Sequence, residues 1–426
     1  MLPPGPRHPV PLQTLGWITR PGPFLERCRD RYGDAFSLRI LNEGTWVVLS
    51  HPDAVKQVFT GDPKLLHAGE ANGILRPILG PNSVLLLDDR PHMTQRKLLL
   101  PPFHGERMKA YGALMEAAAE AEIASWPAGQ VVATRPAMQR ITLEIVMRAI
   151  FGVDDADGMD RLRAALTRVI EWTTQPSQML LVALAGARNT HRLPAYRGVM
   201  GELDAVIAEE IARRRSAGGL EQRDDVLSML LLARHEDGTP MSDAELRDEL
   251  LTLLVAGHET TATALSWALE RLARHPDAWA RLRSGDDAYL DAVIKETLRL
   301  RPVLPIVMRR LKAPMEIGGW ALPEGVSATP CIYLMHRRPD VYPEPLRFRP
   351  ERFLEQPAGT YTWIPFGGGV RRCLGASFAL FEMAAVLRVL ARRCERLEPD
   401  ALVPERIARR SITLVPEREG SVVVAA

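Results

Sequence analysis

Cysteine is scarce in this chain of 426 residues, which has four copies at wide spacing. No two of them form the closely spaced pair that a structural zinc site or an iron–sulfur cluster requires. They also provide no disulfide framework, so we expect a reducing, cytoplasmic location. One of them, Cys373 in FGGGVRRCLG (366–375), follows two arginines and lies among glycines, and it needs its own explanation.

The chain also lacks a strong charge of either sign and a long hydrophobic run. Its formal net charge is only +2, which gives no reason to expect nucleic acid as a partner. No uninterrupted apolar run reaches the roughly 18–20 residues that a membrane-spanning helix needs. The start, MLPPGPRHPV, does not have the charged and then apolar pattern of a secretory signal. We therefore expect a soluble protein without a membrane anchor.

Internal repeats and low-complexity linkers are absent as well, which favours one large domain over residues 1–426. Helical periodicity dominates approximately 91–300 and returns at 375–394. Alternating apolar residues and turn signals mark a β-rich lobe, approximately 35–60 plus 303–333. The predicted fold class is therefore mainly α (α+β), a large helical domain with a small β-rich lobe.

The most informative predicted helix covers 242–276. Ser242 and Glu245 have capping-box spacing, and Pro276 closes the other end. The ends of this helix are amphipathic, whereas its middle is apolar all round, which predicts burial on every side. The polar sequence GHETT falls into that middle.

Buried hydroxyl and carboxyl groups cost several kcal/mol unless they are hydrogen-bonded. The presence of GHETT in a buried part of the helix therefore has to be explained. One interpretation is structural, with the Thr260 hydroxyl bonded back to the carbonyl of Ala256. The other is a local opening of the helix that receives a small molecule beside Gly257, while Glu259 and Thr260 handle protons. The residues alone leave both open.

Two charged pairs lie at helical spacing elsewhere. Glu296 and Arg299 are three residues apart, and His92 and Arg96 are four apart. Read in isolation, each pair favours an ordinary solvated helix face. Arg352 in PERF, ahead of Cys373, could turn the first pair into a buried Glu-Arg-Arg network.

The surroundings of Cys373 favour a thiolate that binds something flat and anionic. The cysteine precedes a helix, whose N–H groups and dipole stabilise S⁻. Phe366 can shield the sulfur, and Gly369 and Gly375 let the backbone approach a flat ligand. Arg371 offers a forked cation for a carboxylate. A flat ligand that carries carboxylates and accepts one thiolate is haem.

FGGGVRRCLG matches F-x-x-G-x-R-x-C-x-G, and with it the chain resembles the cytochrome P450 superfamily of haem-thiolate monooxygenases, of the soluble bacterial type. The resemblance runs from about residue 20 to the C-terminus, with five motifs in the family's order. The other matching pieces are His92-x-x-x-Arg96, AGHETT (256–261), ETLR (296–299), Arg309 in VMRRLKAPMEIGG, and PERF with Arg352.

The resemblance implies haem b (iron protoporphyrin IX) as cofactor and O2 as co-substrate. Cys373 corresponds to the proximal iron ligand, and Glu259 and Thr260 to the acid–alcohol pair of oxygen activation. The residues expected to hold the haem propionates are Arg371, Arg309, His92 and Arg96. Arg338 stands where the family usually has Asp, at a variable position.

The resemblance also implies that electrons come from NAD(P)H through a separate ferredoxin or flavodoxin with its reductase, because the chain has no G-x-G-x-x-G and no room for a flavin domain. A basic surface that includes Arg371, Arg372, Lys97, Arg107 and Lys109 would attract that acidic partner.

We expect a monomer, a hydrophobic terpenoid, fatty acyl or steroid-like substrate, and a lid at 170–200. A haem sensor or an isomerase could share the Cys373 loop, but such proteins tend to lose the acid–alcohol pair.

Overall fold

The computed structural model describes residues 1–103, 107–152, 156–175, 178 and 187–425. Helix accounts for 56% of it, which confirms the mainly α (α+β) class. The α-helices in chain order are α1 (Val10–Thr19), α2 (Pro21–Tyr32), α3 (Pro52–Thr60), α4 (Ala68–Ala71), α5 (Arg76–Leu79), α6 (Asp89–Leu99), α7 (Arg107–Ile123), α8 (Thr134–Phe151), α9 (Ala156–Thr174), α10 (Pro194–Ala217), α11 (Val226–Leu232), α12 (Asp243–Ala273), α13 (Pro276–Arg283), α14 (Asp287–Leu300), α15 (Ile332–Met335), α16 (Arg352–Glu355) and α17 (Ala376–Arg393).

The strands form small sheets. A five-stranded sheet has the order β1-β2-β8-β5-β3, a three-stranded sheet has the order β4-β12-β9, and two hairpins pair β6 with β7 and β10 with β11. The strands are β1 (Ala35–Ile40), β2 (Gly44–Leu49), β3 (Leu66–His67), β4 (Val131–Val132), β5 (Arg309–Leu311), β6 (Met315–Ile317), β7 (Trp320–Leu322), β8 (Ser327–Pro330), β9 (Arg396–Pro399), β10 (Ile407–Arg410), β11 (Thr413–Pro416) and β12 (Val422–Ala425).

Contacts along the chain divide it into two compact units. Unit 1 consists of Met1–His67, Gly112–Thr142 and Glu259–Ala426, and it contains all of the described strands. Unit 2 consists of Ala68–Tyr111 and Leu143–His258 and is helical. That the whole chain forms one domain stays a prediction.

The large sheet of unit 1 separates two hydrophobic clusters. Successive side chains of a strand point to opposite faces, and β2 follows this rule. Val47 and Leu49 belong to one cluster, whereas Trp46 and Val48 belong to the other. The alternation of AFSLRI (35–40) and TWVVLS (45–50) around Asn42-Glu43-Gly44 predicts a β-hairpin, and the antiparallel pairing of β1 with β2 confirms it.

The long helix α12 begins as its sequence predicts. The Glu245 N–H donates to Ser242 Oγ at 3.2 Å, and the Ser242 N–H donates to Glu245 Oε2 at 2.8 Å, which confirms the capping box. The helix ends at Ala273, and Pro276 opens the next helix, α13, as its first residue. In the part of the chain that the structure describes, no helix is long and apolar enough to cross a membrane.

Several elements differ from the sequence-based expectations. Helix α1 occupies part of the proline-rich start, and short helical turns fill much of the apolar stretch 62–90. The sequence predicts two short C-terminal strands at 411–415 and 420–425, which correspond to β11 and β12, and strands β9 and β10 precede them in addition. Of the predicted lid at 170–200, residues 176, 177 and 179–186 lie outside the described residues.

A buried ionic network in unit 1 fixes the irregular segment ahead of Cys373. Glu296 accepts two hydrogen bonds from Arg299, at 2.7 and 2.9 Å, and one from Arg352 at 3.1 Å. Arg299 also donates to the carbonyl oxygens of His336 (2.7 Å) and Pro345 (2.8 Å). All three charged side chains are buried. The Glu-Arg-Arg network is therefore confirmed, and the solvated-face interpretation of Glu296 and Arg299 is wrong.

Candidate functional site

The loop that carries Cys373 is a compact turn followed by a helix. The Cys373 N–H donates to the carbonyl of Phe366 at 3.0 Å, which closes the loop around a short 3-10 turn at Gly369–Arg371. Helix α17 begins three residues after the cysteine, at Ala376. Cys373 is exposed and is not part of a disulfide. The thiol therefore lies accessible just before the N-terminus of a helix.

The glycines of this loop have different reasons to be glycine. Gly369 has a φ of +66°, and a Cβ there would lie 2.0 Å from the carbonyl oxygen of Phe59 on α3. A Cβ at Gly368 would lie 2.2 Å from the Phe59 ring, whereas one at Gly375 meets nothing within 4 Å. Close packing on α3 therefore requires glycine at 368 and 369. At Gly375 the approach of a flat ligand stays a prediction.

Arg309 reaches the same loop from strand β5. Its side chain is buried, its Nη1 donates to the Met308 carbonyl at 2.8 Å, and its Nη2 lies 3.5 Å from the carbonyl oxygen of Gly368. Arg371 belongs to the 3-10 turn itself and is half-buried. Two guanidinium groups that the sequence places 62 positions apart are thus held at one loop.

The Phe366 ring makes an edge-on contact with another aromatic side chain. Its centroid lies 6.0 Å from that of Trp363, with the ring planes 68° apart. The Trp363 indole in turn donates to the carbonyl of Lys295 at 3.1 Å. This packing fixes the start of the loop, and the shielding of the sulfur by Phe366 stays a prediction.

His92 and Arg96 lie on α6 in unit 2. His92 is buried, with 3% of its surface exposed, and Arg96 is half-buried. The interpretation of this pair as a solvated basic face is therefore wrong for His92. Their role as partners of haem propionates stays a prediction.

Helix α12 is not buried on every side, contrary to the sequence-based expectation. The residues at 253, 256, 257 and 260 are all at least partly accessible, and Ala256 is exposed. These positions have i, i+3, i+4 and i+7 spacing, so they form one face of the helix. Apolar periodicity alone could not show that this face stays open to a ligand.

Gly257 is on that face, and packing also constrains it. A Cβ built at Gly257 would lie 3.1 Å from Cγ2 of Val146 on α8, within unit 2. A larger residue would have to displace α8 or block the open face. The structure therefore gives Gly257 a packing reason beside the predicted ligand-binding one.

Glu259 is held by side chains of α8 in unit 1. Arg135 Nη1 donates to Glu259 Oε1 at 3.1 Å, and the Gln139 amide donates to Glu259 Oε2. Arg135 also makes two hydrogen bonds to the carboxylate of Glu419, in the turn before β12. The carboxylate of Glu259 is thus fixed at both of its oxygens.

Sequence reasoning missed Arg135, Gln139 and Glu419. The only local signal is the i, i+4 spacing of Arg135 and Gln139 on one helix face. Their partner Glu259 is 124 and 120 positions away, respectively, in the chain. Nothing in the sequence pairs these residues, because only the packing of α8 against α12 brings them together.

A second acid contacts α12 from helix α17. Glu382 is fully buried, and this burial raises its pKa well above the usual range, although Thr261 hydrogen-bonds to it. Burial therefore favours the neutral form of Glu382. Thr261 is the neighbour of Thr260, so α17 links the Cys373 region to the acid–alcohol segment within unit 1.

These residues fit a haem. An accessible thiol on a tight loop, with guanidinium groups of Arg309 and Arg371 at the same loop, supplies one soft iron ligand and cations for carboxylates. No cluster of three or more His, Cys, Asp or Glu that could hold a bare metal ion occurs among the residues that the structure describes. The residues at this loop therefore fit a single-thiolate iron porphyrin, and their roles as its ligands stay predictions.

The chain belongs to the cytochrome P450 superfamily of haem-thiolate monooxygenases. The family model of cytochrome P450 matches residues 3–424, which covers nearly the whole sequence. The family implies haem as cofactor and O2 as co-substrate, and the enzyme is accordingly an oxidoreductase.

Similar proteins agree with this membership. "Putative cytochrome P450 135B1" of Mycobacterium tuberculosis is 42% identical over 100% of this chain and 92% of its own length. "Putative cytochrome P450 135A1" of the same species is 39% identical over 98% of this chain and 93% of its own length. Among solved structures, retinoic acid-bound cyanobacterial CYP120A1 has a TM-score of 0.82 at 24% identity and covers 99% of both chains. The last likeness concerns the fold.

Alanine substitutions at two loop glycines separate packing on α3 from other effects. We expect Gly369→Ala to lower the free energy of unfolding by about 2 kcal/mol or more, because its Cβ meets backbone at a positive φ. Gly375→Ala is the matched control and should change this free energy by less than about 0.5 kcal/mol. Urea unfolding followed by circular dichroism measures both. Equal losses in the two variants would contradict the packing argument.

Proposed function

We propose that this P450 inserts one oxygen atom of O2 into a hydrophobic small molecule of the terpenoid, fatty acyl or steroid-like class. The protein is proposed to work as a cytoplasmic monomer and to receive electrons from a separate redox protein. The observation that carries the proposal is the accessible Cys373 thiol on a loop that also holds Arg309 and Arg371.

Cys373 is the proposed ligand of the haem iron. Its position before α17 stabilises a thiolate through the N–H groups of the helix N-terminus. Haem ligated by a thiolate supplies O2 binding and O–O bond cleavage. Arg309 and Arg371 from the loop, with His92 and Arg96 of α6, would neutralise the propionates by charge-assisted hydrogen bonds.

Glu259 and Thr260 are the proposed proton-handling pair. Thr260 lies on the accessible face of α12, where its hydroxyl would hold and pass on a proton. Glu259 is half-buried, and its carboxylate can receive protons from solvent and pass them inward. Arg135 and Gln139 hold both of its oxygens and so orient the acid. Because Glu259 must break these hydrogen bonds in order to move, its movement would be the step that admits a proton.

A hydrophobic substrate fits the segments that line the pocket in this family. Ile74 of unit 2 and Ile412 of unit 1 are large apolar side chains that are each exposed. The segments that correspond to pocket lining are Ile74, Leu75, Ile78, Leu79, Val84, Leu85, Leu253, Gly257, Val303–Val307 and Ile412–Leu414. None of these residues is charged, which favours an uncharged substrate.

An acidic ferredoxin or flavodoxin is the proposed electron donor. Arg372 is exposed beside Cys373, and Arg371 is next to it. Lys97 already binds Glu236 at 3.1 Å, so it offers less charge to a partner than its sequence indicates. The side chains of Arg107 and Lys109 lie outside the described ones. The proposed docking surface includes Arg371 and Arg372, whose charge would attract an acidic partner.

Optical spectroscopy tests the haem ligand and the substrate class on one preparation. We expect the dithionite-reduced protein to show a strongly red-shifted Soret band with carbon monoxide, and Cys373→Ser to lose it. Terpenoids, fatty acids and steroids should then give spin-state shifts in the oxidised wild type. A band at the ordinary haem position would contradict the ligand assignment, and shifts from charged polar molecules alone would contradict the substrate class.

The fraction of NAD(P)H electrons that reach product tests the proton pair. We expect Thr260→Ala and Arg135→Met to keep haem and substrate binding but to lower this fraction by about tenfold, with hydrogen peroxide as the alternative product, because positioned proton donors contribute at least that much. Arg140→Met is the matched control, since Arg140 lies on α8 but pairs with Glu122. Unchanged coupling in both test variants would refute the assigned role.

Salt dependence tests the electron donor. Turnover with an acidic ferredoxin should fall as ionic strength rises from about 0.01 to 0.15 M, because screening shortens the Debye length from about 30 to about 8 Å. Arg372→Gln should lower the rate at low salt and flatten this dependence. A rate that ignores salt in the wild type would count against the proposed docking.

A further inference from the structure

The segment 80–85 in unit 2 is tied to one stretch of helix α12 by three side chains. The Asn82 N–H donates to Asp248 Oδ2 at 2.9 Å, and the Val84 N–H donates to Glu249 Oε1 at 2.8 Å. Between them, the Thr252 hydroxyl donates to Ser83 Oγ at 2.7 Å. Successive residues of the segment are thus held by residues within about one turn of one helix.

The approach of the segment to the helix is close. Gly80 has a φ of +80°, and a Cβ there would lie 2.0 Å from Asp248 Oδ1. The charge of Asp248 is compensated by Arg247, which binds it at 2.9 Å. Arg247 also binds Asp204 of α10. The Asp248 contact is therefore an ordinary, fully paired one.

Glu249 differs from Asp248 in its surroundings. Its side chain is completely buried, and its Oε2 makes no hydrogen bond to the described residues. The Gln95 amide of α6 lies beside it and lowers its pKa, although Gln95 Nε2 does not reach hydrogen-bonding geometry either. Asp248 and Glu245 of its own helix, both acidic, make the largest charge contributions that raise its pKa.

Burial and these two carboxylates raise the pKa of Glu249 to about 8, and the Val84 N–H and the Gln95 amide only partly offset them. At neutral pH the group is therefore a neutral acid whose carbonyl oxygen accepts from Val84. If the segment lifts, water reaches Glu249, and its pKa returns toward the ordinary 4.5. Lifting then releases a proton.

We propose that Glu249 is a proton-linked latch that makes the opening of segment 80–85, and with it the entry of a hydrophobic ligand, easier as the pH rises. The part about ligand entry depends on the proposed function, in which Val84 and Leu85 line the substrate site. The part about opening depends only on the hydrogen bonds, burial and charges within unit 2.

The sign follows from proton linkage. The closed state binds one more proton than the open state between the two pKa values, so closure is favoured at low pH and weakens by up to tenfold per pH unit. The weakening of the closed state with rising pH starts above about pH 4.5 and levels off near pH 8. From pH 6 to 7.5 the open population should rise about twentyfold.

Hydrogen exchange of the haem-loaded enzyme measures the opening directly. Protection of the amides of residues 82–84, corrected for intrinsic exchange at each pH, should fall about twentyfold from pH 6 to 7.5. Glu249→Gln keeps an oxygen acceptor for Val84 but cannot titrate, so its protection should not vary with pH. Thr252→Val should lower protection at every pH and keep the wild-type slope.

Glu236→Gln is the matched control, because Glu236 is an exposed carboxylate of unit 2 that binds Lys97 and Arg90 of α6. It should keep the wild-type slope. An equal slope in Glu249→Gln, or no slope in the wild type, would overturn the latch.

The association rate of a hydrophobic ligand, followed by stopped-flow absorbance, should rise with pH in parallel with the loss of protection. A flat association rate beside a pH-dependent protection would overturn the role in ligand entry. Hydrogen exchange does not depend on oxygen chemistry, so failure of the proposed monooxygenation would show itself separately, in the fraction of NAD(P)H electrons that reach product.

Discussion

The buried carboxylate of Glu296 is the constraint on which the rest of the site depends. A buried carboxylate is tolerated only when cations and N–H groups satisfy it, and here Arg299, Arg352 and the backbone N–H of Arg349 do so. The remaining N–H groups of Arg299 donate to backbone carbonyls, including that of His336. A stretch of chain with little regular structure thereby acquires a fixed path toward Cys373.

Helix α12 meets two opposing demands along its length. It must bury most of its surface, and it must also leave Ala256, Gly257 and Thr260 accessible. Gly257 reconciles the two, since it allows contact with Val146 and adds no bulk to the open face. The charge of Glu259, next to that face, is balanced by α8 through Arg135. The polar patch is thus supported by neighbours rather than by the helix itself.

How far the sequence predicts the site depends on how far apart the partners lie. The capping box of Ser242 and Glu245 was predictable because its partners are three residues apart, as was the hairpin that ends at β2. The accessibility of the α12 face was not predictable, because an apolar helix surface has the same sequence pattern whether it packs against protein or stays accessible. The order of five motifs identified the family, whereas single pairs such as His92 and Arg96 gave the wrong environment when read alone.

The sequence by itself determined the fold class and the family, because each depends on local periodicity or on motif spacing. The tertiary structure alone decided which side chains hold Glu259, why Gly369 must be glycine, and that the buried Glu249 leaves one oxygen without a hydrogen bond to the described residues. These three features depend on contacts between residues far apart in the chain. Burial and pairing set their energies, and neither can be read from neighbouring letters.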